Sequence, residues 1–161
     1  MVARLLRSTD FQRVLAAAPR SRSTHFAVHH VPAWPSLSAG QLRMQAKAEL
    51  STGDAPSCPL SVDGSAAEPT KVVFAPPPTD RWLGLVVPKR HAKRSVTRSL
   101  LKRQMRTVMA AQAESLPPGL WVLRLKAPFD RQLFTSPASD PLREAAGDEL
   151  LQLLQRAAAR A

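Results

Sequence analysis

Between Gly84 and Met109 the chain reads GLVVPKRHAKRSVTRSLLKRQMRTVM. A β-branched apolar run ends at Pro88, cations follow, and apolar residues then return at helical spacing. A strand that feeds straight into a basic helix leaves few architectures open. The helix has to cover a sheet with one side and carry its charge on the other. On a helical wheel with Val96 at zero, Val96, Leu100, Leu101, Met105 and Val108 fall within roughly the first 180°, whereas Arg98, Lys102, Arg103 and Arg106 fall between roughly 200° and 340°. One side reads as buried, and the other offers its cations to a single partner.

The charge is focused rather than spread. Residues 81–106 hold nine Lys and Arg and no acid, whereas 1–30 hold five and one, 31–80 three and five, and 107–161 six of each. An ordinary solvated helix face mixes signs, because like charges four residues apart repel. Arg98, Lys102 and Arg106 are successive like-charged neighbours at that spacing with no carboxylate near them. Such a block is unfavourable until an anion relieves it, which points to a polyanion. Lys89, Arg90, Lys93 and Arg94 line the loop that enters the helix, where free backbone N–H groups and the positive end of the dipole also suit a phosphate. If about five of these cations neutralise phosphates, affinity falls roughly a hundredfold between 50 and 200 mM salt.

Composition removes the other partners. A membrane-surface helix carries bulky aromatic and aliphatic residues opposite its charge, but the apolar side here is a set that one sheet can cover. No run approaches the roughly 18 apolar residues of a spanning helix. The opening MVARLLRSTD turns polar early for a secretory signal. A single cysteine, Cys58, excludes an internal disulfide and a cysteine-rich zinc site. The expectation is a soluble cytoplasmic protein. A helix-turn-helix DNA reader needs a second helix packed across the first, whereas this one is flanked by strands, so the pattern favours RNA.

The flanking elements complete a single domain over 1–161. In RSTDFQRVLAAAP, Phe11, Val14, Leu15 and Ala18 make one helical stripe, with Ser8 or Thr9 as cap, Asp10 on the positive end and Pro19 as stop. RSRSTHFAVHHV follows as a strand with two unlike faces. Residues 32–80 are rich in Pro, Ala and Ser and read as a disordered insertion, with QLRMQAKAEL as a possible short helix and TKVVFA as a strand. RWLGLVVPK is a buried strand, a helix spans about Ser95 to Ala113, and LWVLRLKA is an alternating strand. In the last helix Asp140 caps, Pro141 sits in the first turn, and Leu142, Ala146, Leu150, Leu153, Leu154 and Ala157 face inward. The expected class is α+β: one small sheet with helices packed on it, in the order α-β-β-β-α-β-α, with a long low-complexity insertion.

RWLGLVVPKRHAKRSVTRSLLKRQMR resembles the signature of the bacterial ribonuclease P protein component, an R-x-G-L-x-V-x-K-K strand followed by a helix with R-N-R-I-K-R-x-x-R. LLRSTDFQRVL with STHFAVHH is similar to that family's first helix and strand, and LWVLRLKAPF with the Leu-rich tail to its last strand and helix. The resemblance covers everything outside the insertion and implies a ribosomal protein S5 domain 2-like fold. Arg98 takes the first Arg of the motif, Ser99 the place of the Asn, and Leu100 that of the second Arg. Lys102, Arg103 and Arg106 match the remaining cations. Ser99 and Leu100 thus depart from the pattern, and Leu100 reads as core. Phe11 matches a family aromatic, Leu15 replaces another, and His29 stands where some members carry Tyr.

The resemblance implies a protein subunit with no catalytic residue of its own. Its cofactor is the catalytic RNA, with Mg²⁺ bound mainly by that RNA. Its partners are ribonuclease P RNA and precursor tRNA, with no membrane and no protein partner implied. Lys89, Arg90, Lys93, Arg94, Arg98, Ser99, Lys102, Arg103 and Arg106 would contact RNA. Phe11, Arg13, Leu15, Phe26 and His29 would form a cleft for the single-stranded 5′ leader, with Arg20 and Arg22 beside phosphates. Two alternatives stand beside it. One is a basic RNA binder of ribosomal or RNA-chaperone type without a cleavage role. The other is a stand-alone nuclease using His25 and His29, which would share a strand face; His29 and His30, being adjacent, point to opposite faces. No metal site is expected, since Asp10 is the only acid before residue 49.

Overall fold

The computed structural model describes residues 2–36, 78–130, 132–136 and 138–160. The elements in order are β1 (Val2–Arg4), α1 (Ser8–Ala16), β2 (Ser21–Arg22), β3 (Phe26–Val31), β4 (Arg81–Val86), α2 (Ser95–Ala111), a 3-10 turn (Ala113–Ser115), β5 (Gly119–Leu125) and α3 (Asp140–Ala158). The expected α+β class is present, with β1 added before the first helix and the strand expected over RSRSTHFAVHHV divided into β2 and β3. QLRMQAKAEL and TKVVFA lie outside the described residues.

The five strands form one mixed sheet in the order β1-β4-β5-β3-β2. β4 runs parallel to both β1 and β5, and β3 runs antiparallel to β5 and β2. Parallel neighbours need a crossover, and α2 supplies the one between β4 and β5. Alternation along β5 then decides the layers. Trp121, Leu123 and Leu125 point into the larger core with α2 and α3, while Leu120 and Val122 point to the α1 side. All six residues expected to face inward on α3 are buried. Each fully buried Leu or Met contributes about 1.5–3 kcal/mol of transfer free energy, so this stripe anchors α3 firmly.

Two glycines are required by their surroundings. A Cβ on Gly84 would stand 2.5 Å from Phe11 Cε1, because the Phe11 ring lies directly on the β4 backbone. Gly119 opens β5 at φ +129° with its would-be Cβ 2.6 Å from the Val31 carbonyl oxygen, a conformation that glycine adopts without strain.

Caps fall one residue away from the expected positions. Arg7 and Arg94 occupy the N-cap positions of α1 and α2 without side-chain caps, so Ser8 and Ser95 are already helical. Ser139, not Asp140, caps α3, its hydroxyl accepting from the Leu142 N–H at 3.3 Å. The buried Asp10 carboxylate accepts from both the backbone N–H and the hydroxyl of Ser36. Trp34 packs against Trp82 with ring centroids 5.3 Å apart, and Ala33 joins the α1-side core. Residues 32–36, low-complexity in composition, are therefore part of the folded unit. Having spent itself on β3, the chain turns back across the α1 layer to reach Asp10.

Candidate nucleic-acid interface

Pro88 ends β4, and its carbonyl accepts from the His91 and Ala92 N–H groups at 3.1 and 3.2 Å. That tight turn leaves Lys89, Arg90, Lys93 and Arg94 exposed at the mouth of α2. Arg98 holds the turn from inside: its Nη1 donates to the Ala92 and Lys93 carbonyls at 3.0 and 2.7 Å. One cation expected to serve the partner is thus committed to shaping the loop that carries four others, and it is half-buried.

The buried stripe of α2 is Leu101, Met105 and Met109. It is centred about 90° away from the arc read off the wheel. The helix packs against α3 as well as the sheet, so burial follows the direction between two neighbours rather than one. Val96 is consequently 52% exposed. Leu100, expected in the core, is half-exposed and belongs to neither core cluster. Ser99, Arg103 and Arg106 are exposed, and Lys102 is half-buried on the flank facing β1. Among the described residues, the salt bridges are His25–Glu149 and Arg143–Asp140; neither involves a cation of the basic segment. That surface is positive, and Asp130, which lines a hollow with Lys93 and Arg94, makes no ion pair with either.

The α1 side of the sheet presents a different surface. Phe11 and Leu15, one helical turn apart, are half-exposed, and Arg13 is exposed. Two of the expected cleft residues are buried. Phe26 is fully buried on the opposite side of the sheet, where its ring meets Phe129 at 5.8 Å, and so has no face left for a base. His29 is on the α1 side but only 6% exposed, its Nδ1 hydrogen-bonded to the Ala17 carbonyl at 2.9 Å; it closes the end of α1. The sheet contributes instead Val86 and Arg124, which are paired in register and half-exposed beside Phe11 and Gly84. The odd–even alternation of β5 was the signal that could have found Arg124.

The histidines do not assemble. His25 precedes β3, stacks on Phe129 at 4.0 Å and bonds Glu149 of α3 through Nδ1 at 2.7 Å, while its backbone N–H donates to the same carboxylate at 2.6 Å. His29 lies under α1, so the two rings sit on opposite faces and the proposed acid–base pair is absent. His30 accepts at Nδ1 from Arg20 Nη1 at 3.0 Å and donates from Nε2 to the Pro118 carbonyl at 3.1 Å. Arg20 also donates to the Ala157 carbonyl at 2.7 Å, which removes it from the set available to phosphates. Among the described residues no group of three His, Cys, Asp or Glu converges on one point, and no helix is long and apolar enough to cross a membrane.

Two of these groups carry a pH dependence. Burial, with the Arg20 charge, lowers the His30 pKa from 6.5 against the opposing Pro118 carbonyl. Burial alone would raise Glu149, but hydrogen bonds from the His25 backbone, the Ser23 hydroxyl and the His25 ring bring it below 4.5. In both cases the unfolded chain binds more protons, so acid favours unfolding. The His30 contribution is present above 6.5 and lost as pH falls through its lowered pKa; that of Glu149 is present above 4.5 and lost below it. Thermal unfolding should show the midpoint falling in two acid steps, with the upper step missing in His30→Gln. A single step in both proteins would show that His30 does not titrate on unfolding.

Comparison with known proteins follows the same lines. A family model described as Ribonuclease P matches residues 63–156. The chain is similar to the ribonuclease P protein component of Burkholderia pseudomallei (strain 1106a), 40% identical over 79 residues, or 49% of this chain and 58% of that protein. The protein of the same name from Burkholderia mallei (strain SAVP1) is 39% identical over the same span. That from Paraburkholderia xenovorans (strain LB400) is 27% identical over 158 residues, covering 97% of this chain and 81% of the other. The matched segment thus spans little more than half the length of the first of these relatives.

Proposed function

The chain belongs to the ribonuclease P protein family, and from that premise we propose that it is the protein subunit of a bacterial, cytoplasmic ribonuclease P. It binds the catalytic RNA and assists removal of the 5′ leader from precursor tRNA. The observation that carries this reading is the exposed surface of Lys89, Arg90, Lys93, Arg94, Ser99, Arg103 and Arg106 with Lys102 on its flank, its cations free of ion pairs among the described residues and outnumbering Asp130, which stands beside Lys93 and Arg94. Its repulsion is relieved by phosphates, and each phosphate contact releases counterions. The protein contributes position and charge. The chemistry is assigned to the RNA and its Mg²⁺, as the likeness to this family implies.

The leader is assigned to the α1 side of the sheet. Phe11, Leu15 and Val86 offer apolar surface to unpaired bases, and Arg13 and Arg124 flank it for the backbone. Reconstitution tests the reading. At physiological Mg²⁺, adding the protein to the cognate RNA subunit should raise leader release severalfold or more. RNA binding with no effect on leader release would point instead to a ribosomal or chaperone-type binder.

Within this reading the chain is one RNA-binding domain, and the residues between Ser36 and Pro78 are not needed for it. Replacing 37–77 by a short Gly-Ser linker should preserve cooperative unfolding and RNA affinity. The cut spares the Ser36–Asp10 hydrogen bonds and the Trp34–Trp82 contact, and lengthening or shortening a loop changes closure entropy only slowly. Loss of the folded state in that variant would show the segment to be structural.

A further inference from the structure

On the α2 side of the sheet, at its β1 edge, lies a hollow of about 270 Å³. Its apolar floor and walls come from Val2, Ala3, Leu83, Leu85 and Ala110, and its rim carries Arg4, Lys102 and Arg106. Leu83 and Leu85 belong to the same strand face, β1 continues the sheet beyond them, and the last turns of α2 close the other side. No acid lines the hollow, and none of the three rim cations has an ion pair among the described residues. It is separate from the α1-side surface assigned to the leader, because the sheet stands between them.

Pure backbone recognition needs cations but no apolar cavity beneath them. Here the rim charges surround a floor that would otherwise be left in water. A nucleotide satisfies both halves, with its planar ring against the aliphatic floor and its phosphate among the rim cations. Pockets for drug-sized ligands start at about 300 Å³, so this one takes a single ring and not a stacked pair. The side chains of the lining include no Asn, Gln, Ser, Thr or acid, so a base edge meets only the rim cations and the outward backbone of the edge strand β1.

We infer that this hollow seats one unpaired nucleotide of the RNA partner, held by ring burial and charge with little preference among bases. The inference rests on the RNA-binding reading above and adds to it a contact made by a base rather than by the backbone. Lys102 and Arg106 then act as the walls of a seat as well as points of a charged surface.

The test fills the seat without touching its charge. Ala110→Phe on α2 and Val2→Phe on β1 each place a ring in the hollow from opposite walls; Ala110 is exposed and Val2 is half-buried on the edge strand, on the same face as Leu83, so the centre of the core is untouched. Binding of the full-length proteins to the cognate ribonuclease P RNA is titrated across several salt concentrations. Each variant should bind roughly tenfold more weakly, with the wild-type salt slope, because the number of phosphate contacts is unchanged. Photocrosslinking of the wild-type protein to 4-thiouridine-substituted RNA should label Val2–Arg4 or Leu83–Leu85. Thermal unfolding identifies any variant that fails to fold, and the other then decides.

Wild-type affinity in the folded variants overturns the seat, including the case in which the hollow serves an acidic peptide. A weaker complex with a shallower salt slope also overturns it, since that result means displaced phosphates and not a displaced base. Failure of the wild-type protein itself to bind the RNA removes the underlying reading and the seat with it, an outcome distinct from the other two.

Discussion

Lys102→Glu combined with Arg103→Glu is expected to leave a folded protein that no longer retains its RNA. Residues 81–106 carry nine cations and no acid; the double reversal leaves seven against two, so the net falls from +9 to +5. Each reversed position replaces attraction to phosphate with repulsion, and the loss should be on the order of a hundredfold or more at moderate salt. The fold has no reason to suffer. Arg103 is exposed, Lys102 half-buried, and Glu is about as good a helix former as Lys or Arg. A Glu at 102 would also sit four residues from both Arg98 and Arg106, turning two repulsions into attractions of roughly 0.2–0.5 kcal/mol each. Unfolding midpoints should therefore hold or rise while binding collapses. Co-purification of the doubly reversed protein with the RNA subunit would remove α2 from the interface.

Phe11→Ala should weaken the holoenzyme's hold on precursor tRNA by roughly tenfold while leaving mature tRNA unaffected, because only the precursor carries a leader. The ring also covers Gly84, so truncation loosens the α1 layer as well as removing a surface for bases. Phe11→Leu separates these effects. It keeps an apolar cover over the β4 backbone and deletes the flat face, and it should reproduce the selective loss without the drop in stability. Equal weakening for precursor and mature tRNA in both variants would place the leader elsewhere.

How far the sequence could be read depended on how many neighbours each element has. On α3 every inward residue followed from periodicity, because one broad side meets the core. On α2 the same procedure misplaced Val96 and Leu100, since burial there is set jointly by the sheet and α3, and a wheel has no knowledge of a second neighbour. β1 gave no signal at all: three residues are too few to show alternation, and the strand exists through pairing with Arg81–Leu83. The parity of β3 was legible, with Phe26 and His29 on opposite sides, but which side stays open depends on where α1 and α3 come to rest. Of the residues expected to line a leader cleft, Phe11, Arg13 and Leu15 therefore remain accessible, whereas Phe26 and His29 are buried. Partners such as His25 with Glu149, 124 positions apart, leave no local trace. The basic block was legible because its meaning lies in what it lacks, and a missing carboxylate is visible in one dimension.

Strand direction has a practical corollary. β3 ends and β4 begins at the pole of the sheet where β5 starts, since Val31 pairs with Leu120 and Arg81 with Gly119, whereas the Pro88 turn departs from the pole where β5 ends. A dye, an affinity handle or a grafted domain spliced in after Ser36 would be rooted beside Asp10 on the α1 side of the sheet, whereas the charged helix covers the other side.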